Sequence, residues 1–183
     1  MSRLKRVSLL FVLIVMLLVA ASCGESDTET SAGVEAGFSA DDLYLMIDGE
    51  KYTCDTNIND IIAVFGEDYE YSEAISCAYD GMDKTFMYEN VEFYTYPQGE
   101  EDFVLEIYCV GGEVSTSKGV EIGTSRDTVI ELYGDGYEDT GYILTYEIPA
   151  ANAESEGASL YFQIEDGNVS AIAITAEQLI GEE

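Results

Sequence analysis

Residues 119–134, GVEIGTSRDTVIELYG, constrain the fold more than any other stretch, because a degenerate copy lies 68 residues earlier and strand-like segments follow each copy. The later copy reads as a short strand at 119–122, a helix N-cap at Ser125, and a helix over 125–133 with Val129, Leu132 and Tyr133 on one face. Gly134 stops it. In the earlier copy Ile58, Ile61, Ile62 and Phe65 recur at helical spacing, one of Asp55, Thr56 or Asn57 supplies the cap, and Gly66 is the stop. Placing Gly66 on Gly134 also matches Ile61 with Val129, Phe65 with Tyr133, and Tyr69-Glu70 with Tyr137-Glu138. The final hairpins align at a slightly different offset, Val104 with Val169, Ile107 with Ile172 and Cys109 with Ile174, so loop length absorbs the difference.

The segments between the helices alternate as strands do. A hairpin is expected over 43–47 and 51–54, because Asp48-Gly49 supplies the positive φ of a tight turn. Aromatic and β-branched runs at 74–79, 85–88, 91–96 and 103–109 read as a meander, and those at 142–148, 158–164 and 169–175 as its counterpart. The expected fold class is α+β: two tandem repeats of a short helical segment packed on an antiparallel β-sheet. Repeat one covers about 43–112 and repeat two about 113–176, within a domain of residues 43–183.

The N-terminus reads as an address. Arg3, Lys5 and Arg6 precede an apolar run over 7–21, and Ala20-Ala21-Ser22-Cys23 is a small-residue cleavage site ending in cysteine. The run is shorter than the about 20 residues a spanning helix needs. Residues 1–22 are therefore expected to be a bacterial lipoprotein signal peptide and Cys23 the lipidated first residue of the mature chain. That places the protein on the extracytoplasmic side of the cell membrane, held by a lipid anchor. Residues 23–42 are rich in Ser, Thr, Gly, Ala and acids, a flexible acidic tether with a reach of roughly 25 Å.

Charge and composition narrow the function classes. The chain has 37 acidic residues against seven basic ones, a net charge of -30, and three of the basic residues lie in the signal segment. Such a surface repels nucleic acid and anionic headgroups. There is no histidine, which removes Ser-His and Cys-His catalytic pairs and the usual zinc ligands. The acidic turn at 134–141 departs from the calcium-loop template, with Thr140 and Tyr146 where glycine and glutamate belong. No metal, cofactor or catalytic residue is predicted. Lys84 is expected to pair with a neighbouring acid.

The G-x-S-x-x-x-V-x-x-x-x-G pattern from Gly123 through Ser125 and Val129 to Gly134 resembles that of outer-membrane assembly lipoproteins of the BamE type and of the β-lactamase inhibitory protein family, itself a tandem repeat of helix plus antiparallel sheet. SCAYDGMDK at 76–84, TYP at 95–97 and TSKGVEIG at 116–123 more closely resemble Gram-positive surface lipoproteins of no established activity. The first copy departs from the pattern, with Asp55 and Asn57 in place of Gly123 and Ser125. The resemblance implies a disulfide within a repeat, which Cys54 with Cys77 fits; a loop of that size stabilises by roughly 3 kcal/mol. Cys77 with Cys109 is the other pairing. By alternation with Phe103, Leu105 and Ile107, Cys109 reads as a buried apolar thiol.

Strand alternation gives the functional expectation. With Val91, Phe93 and Thr95 toward the helices, Glu92, Tyr94 and Tyr96 point away; Tyr161 and Gln163 oppose Leu160, Phe162 and Ile164, and Tyr108 opposes Ile107. Tyr94, Tyr96, Tyr108 and Tyr161 then share an uncovered sheet face, suited to a protein partner in the envelope or outside the cell. The alternative is a structural or accessory envelope lipoprotein that stabilises a larger assembly. The least favoured reading is an enzyme using Cys109.

Overall fold

The structure, a computed structural model, describes residues 37–179. Both helices form where the chain carries a cap, an apolar stripe and a glycine. α1 (Ile58–Phe65) opens at Asn57, whose side chain accepts the Asn59 N–H, and α2 (Arg126–Tyr133) opens at Ser125, which accepts the Thr128 N–H. They stop at Gly66 and Gly134, at φ 87° and 83°, in the left-handed region closed to most side chains. Helices of eight residues are too short to persist alone in water. Burial of Ile58 and Ile61 from α1, and of Val129 and Tyr133 from α2, holds them in place.

The surface they pack on is one eight-stranded antiparallel sheet. After α1 come β3 (Glu70–Ile75), β4 (Met82–Met87), β5 (Val91–Gln98) and β6 (Glu101–Cys109). After α2 come β8 (Glu138–Asp139), β9 (Ile143–Ile148), β11 (Ala158–Glu165) and β12 (Asn168–Thr175). Their spatial order is β3-β4-β5-β6-β12-β11-β9-β8, so the last strand of each series meets at the centre. The β11–β12 hairpin turns on Asp166-Gly167, both at positive φ, as a tight turn between right-twisted strands requires.

Two aromatic clusters anchor the helices to one face of this sheet. Phe65 of α1 meets Phe93 of β5 edge-on at 5.2 Å, and Tyr133 of α2 lies 5.7 Å from Phe162 and 5.3 Å from Tyr146. A small sheet in the order β2-β1-β7, from β1 (Leu45–Ile47), β2 (Glu50–Tyr52) and β7 (Val114–Thr116), packs on the same side. Its Leu45, Ile47 and Val114 are buried in the same core, and Tyr52 meets Phe65 at 5.4 Å. A two-stranded ribbon of β10 (Ser155–Glu156) and β13 (Gln178–Leu179) completes the sheets.

The structure corrects three boundaries. Residues 119–122 are not a strand: the Thr116 N–H donates to the Val120 carbonyl across a turn at Gly119, and the paired segment is β7. The third strand of the fold is 70–75 rather than 74–79, because Ser76 to Gly81 closes the β3–β4 turn. The folded domain also starts before residue 43. Phe38 packs on Tyr146 at 5.8 Å, and buried Asp42 accepts the Ser117 hydroxyl at 2.6 Å, so residues 38–42 belong to the folded domain rather than to the expected tether. The expected signal segment, Cys23 and tether residues 23–36 lie outside the described residues.

Candidate binding face

Register defines the side of the large sheet that the helices leave bare. Pairing aligns Glu138, Thr145, Tyr161, Ala173, Tyr108, Glu92, Met87 and Glu70 in one row, one residue from each strand. A second row, two residues along, runs Glu147, Ser159, Thr175, Glu106, Tyr94, Thr85 and Ser72. Their chain neighbours Leu160, Phe162, Ile172, Ile174, Ile107, Phe93 and Phe86 are in the core. Both rows therefore face away from it.

At the centre of this outer face two tyrosines cross a floor of alanine. Tyr108 on β6 reaches over β12 and donates its hydroxyl to Gln163 Oε1 on β11 at 3.1 Å. Tyr161 on β11 reaches back and donates to Glu106 Oε1 on β6 at 2.5 Å. Their rings lie 6.4 Å apart at 34°. Between the two strands, Ala171 and Ala173 point outward yet are 1% and 0% exposed, because the rings cover them. A larger side chain there would lift the tyrosines off the sheet. Tyr94 joins the group by donating to Glu92 Oε2 at 2.5 Å.

The electrostatics follow from this crowding. Burial is the main cause that pushes the Glu106 carboxyl above its ordinary range, and repulsion from Glu92 adds to it, while the Tyr161 hydroxyl pulls the other way. Burial first, then the neighbouring carboxylates, raises Tyr94, Tyr108 and Tyr161 as well. Their hydroxyls thus stay protonated as donors to Glu92, Gln163 and Glu106. Beside Tyr161 the face dips into a recess of about 490 Å³ lined by Thr145, Glu147, Ser159, Thr175 and, from the β10–β13 ribbon, Glu156.

Of the four expected tyrosines, the structure brings together three. Tyr96 also faces outward but lies in a separate cluster, 4.8 Å from Tyr79 and 6.2 Å from Phe103, with its hydroxyl on Asp55 Oδ1 at 2.9 Å. The cause is a β-bulge. Register passes from Tyr94 opposite Glu106 to Thr95 opposite Val104, leaving Leu105 as the extra residue. The bulge also corrects the expected phase of β6: Val104 joins Ile107 and Cys109 in the core, while Phe103 turns outward with Tyr96. Glu106, Ala171 and Ala173 were absent from the sequence reading of the site; the small residues alternating with isoleucine at 171–174 are the signal that could have found the floor.

The cysteines are not paired in the way the resemblance implies. Cys54, Cys77 and Cys109 are all free. The Cys54 thiol donates to the Ile174 carbonyl of β12 at 3.5 Å, just before Asp55 and Thr56 exchange backbone bonds with Val104 of β6, whereas Cys77 is exposed in the β3–β4 turn. Burial raises the Cys54 thiol, and raises Cys109 to about 12, so neither is a ready thiolate.

The four basic residues among those described all lie on the helix side. Lys84 pairs with Asp102 at 2.6 Å, as expected, and Arg126 with Asp139 at 2.7 Å. Lys51 sits 3.9 Å over the Tyr44 ring and Lys118 4.9 Å over that of Tyr133. The turn at 134–141 is thus closed by an ion pair, with the Gly141 N–H donating to Asp139 at 2.7 Å. Comparison with protein-family models, with curated proteins and with solved structures found no match, so the geometry of this face is what a functional reading must rest on.

Proposed function

We propose that the protein is a lipid-anchored, extracytoplasmic binding module, not an enzyme, that presents the outer sheet face around Tyr94, Tyr108 and Tyr161 to a protein partner in the envelope or outside the cell. The observation that carries this reading is the tyrosine crossing over Ala171 and Ala173 on a face that neither described helix covers. Tyrosine supplies a large rigid contact area with a polar tip. Hydroxyls already held by Gln163, Glu106 and Glu92 fix the rings before a partner arrives, which lowers the ordering cost of binding. In this reading Cys23 carries the lipid and the acidic tether holds the domain off the membrane.

The scaffold is a tandem duplication in the same reading. Its support is the 68-residue offset that carries the cap Asn57 to Ser125, the stop Gly66 to Gly134, and the edge residue Glu70 to Glu138 at opposite ends of one row. Capture from envelope and culture fluid by the full chain tests the binding face. Joint replacement of Tyr94, Tyr108 and Tyr161 by serine should lower recovery of the captured partner at least tenfold. Unchanged recovery rejects the reading.

One observation favours a second reading, an accessory role in a larger assembly. β3 forms an edge of the large sheet with all six residues exposed, Ile75 at 79%, so its outer backbone groups are open to another strand. Proline at Ser72 would abolish assembly under that reading and leave capture through the tyrosines intact under the first.

A further inference from the structure

Among the described residues, acids cover both faces of the large sheet, but cations do not. Lys51, Lys84, Lys118 and Arg126 are all engaged on the helix side, by tyrosine rings, by Asp102 and by Asp139. The two outward rows contain Glu70, Glu92, Glu106, Glu138 and Glu147 and no basic residue. In the central pair, Glu92 stands close enough to Glu106 to raise the cost of ionising it. Each receives one tyrosine hydroxyl, from Tyr94 and Tyr161, on one oxygen. No described residue donates to the second oxygen of either carboxylate. Two half-buried carboxylates flanked by tyrosine rings, without a cation of their own, are charge-complementary to a cation that also stacks.

We propose that the partner of this face is a protein segment rich in arginine, with one guanidinium docking on Glu106 and Glu92 against the rings of Tyr108 and Tyr161. This rests on the binding-face reading above and names the chemistry of its partner. Arginine fits better than lysine for two reasons. Its planar fork matches a carboxylate edge bidentately, and its weakly hydrated plane stacks on an aromatic ring, whereas an ammonium is a compact and strongly hydrated charge. A guanidinium here would also relieve the repulsion of Glu106 by Glu92, which the Tyr161 hydroxyl offsets only in part. The acid-lined recess beside Tyr161, with Glu147 and Glu156, gives a second arginine a place further along the same row. The absence of basic groups among the described residues of this face further disfavours an acidic partner by like-charge repulsion.

Hexa-arginine and hexa-lysine peptides titrated into the full chain by calorimetry, at about 0.15 M salt, test the proposal. Hexa-arginine should bind at least fivefold tighter than hexa-lysine. Glu92→Gln with Glu106→Gln should weaken hexa-arginine at least tenfold, while the charge-matched pair Glu67→Gln with Glu131→Gln on the helix side changes it less than twofold. Near-UV circular dichroism of each variant verifies the fold, and Tyr108→Leu gives a second route by removing the ring face without touching a charge. Equal loss in both glutamate pairs would mean diffuse attraction to an acidic protein and overturns the site. Equal binding of the two peptides overturns the assignment of arginine. If the peptide tests fail while the tyrosine-to-serine variant still loses its captured partner, the binding face stands and only the chemistry assigned to its partner falls.

Discussion

Replacing Tyr161 by phenylalanine removes a single oxygen from the outer face and leaves the ring over Ala173. What is lost is the 2.5 Å hydrogen bond to Glu106, a charge-assisted one whose net contribution is about 1.5–3 kcal/mol. Glu106 is half-buried and faces repulsion from Glu92, so it is left with a desolvated charge and no donor. We expect a loss of about 2 kcal/mol, which for a domain of this size lowers Tm by roughly 4–8 °C. The pH dependence has a definite sign. The folded-state pKa of Glu106 is raised, so its protonation stabilises the native state, fully so below the unfolded value, and that stability is lost as pH rises through the folded value. Tyr161 opposes the rise, and its removal pushes the carboxyl higher still. The penalty of Tyr161→Phe should therefore be largest where Glu106 is ionised and shrink as pH falls through its folded value. Urea unfolding of both proteins between about pH 8 and pH 4 measures it. A loss below about 0.5 kcal/mol at the upper end, or one that does not shrink with acid, refutes the account of the Glu106 environment.

Other consequences follow from the same geometry. Ala173→Leu should destabilise by about 1–3 kcal/mol through overpacking and expose the Tyr108 and Tyr161 hydroxyls, seen as a change in near-UV circular dichroism. Tyr146, fully buried between Tyr133 and Phe162, should cost about 3–5 kcal/mol as alanine in chemical denaturation. Ser125→Ala should cost about 1 kcal/mol by loss of the α2 cap, and Ser125→Asp should restore most of it. Iodoacetamide at about pH 8 should label Cys77 and spare Cys54 and Cys109 until denaturant is added, as peptide mapping would show.

The parts of this molecule that were legible from sequence are those written in short-range chemistry. Ser125 and Gly134 bracket α2 as read, since a cap and a left-handed stop are properties of one or two residues. The outward direction of Tyr94, Tyr108 and Tyr161 was legible because the pleat has a period of two. What failed lay where that period is interrupted or where distant segments meet. Leu105 is an inserted residue with no local mark, so Phe103 was placed on the wrong face. Phe38 and Asp42 look like tether by composition and become core only because Tyr146 and Ser117 receive them. The crossing of Tyr108 and Tyr161 depends on β12 lying between β6 and β11, a fact of strand order rather than of any one strand.

The account turns on which face of the large sheet meets the partner, and hydroxyl-radical footprinting of the captured complex reads that directly. Tyr94, Tyr108 and Tyr161 should lose reactivity when the partner is bound, while Val64 on α1 and Tyr142, which are 67% and 64% exposed, keep theirs. Protection of Val64 with unchanged oxidation of the three tyrosines would place the partner on the helix side and contradict the account.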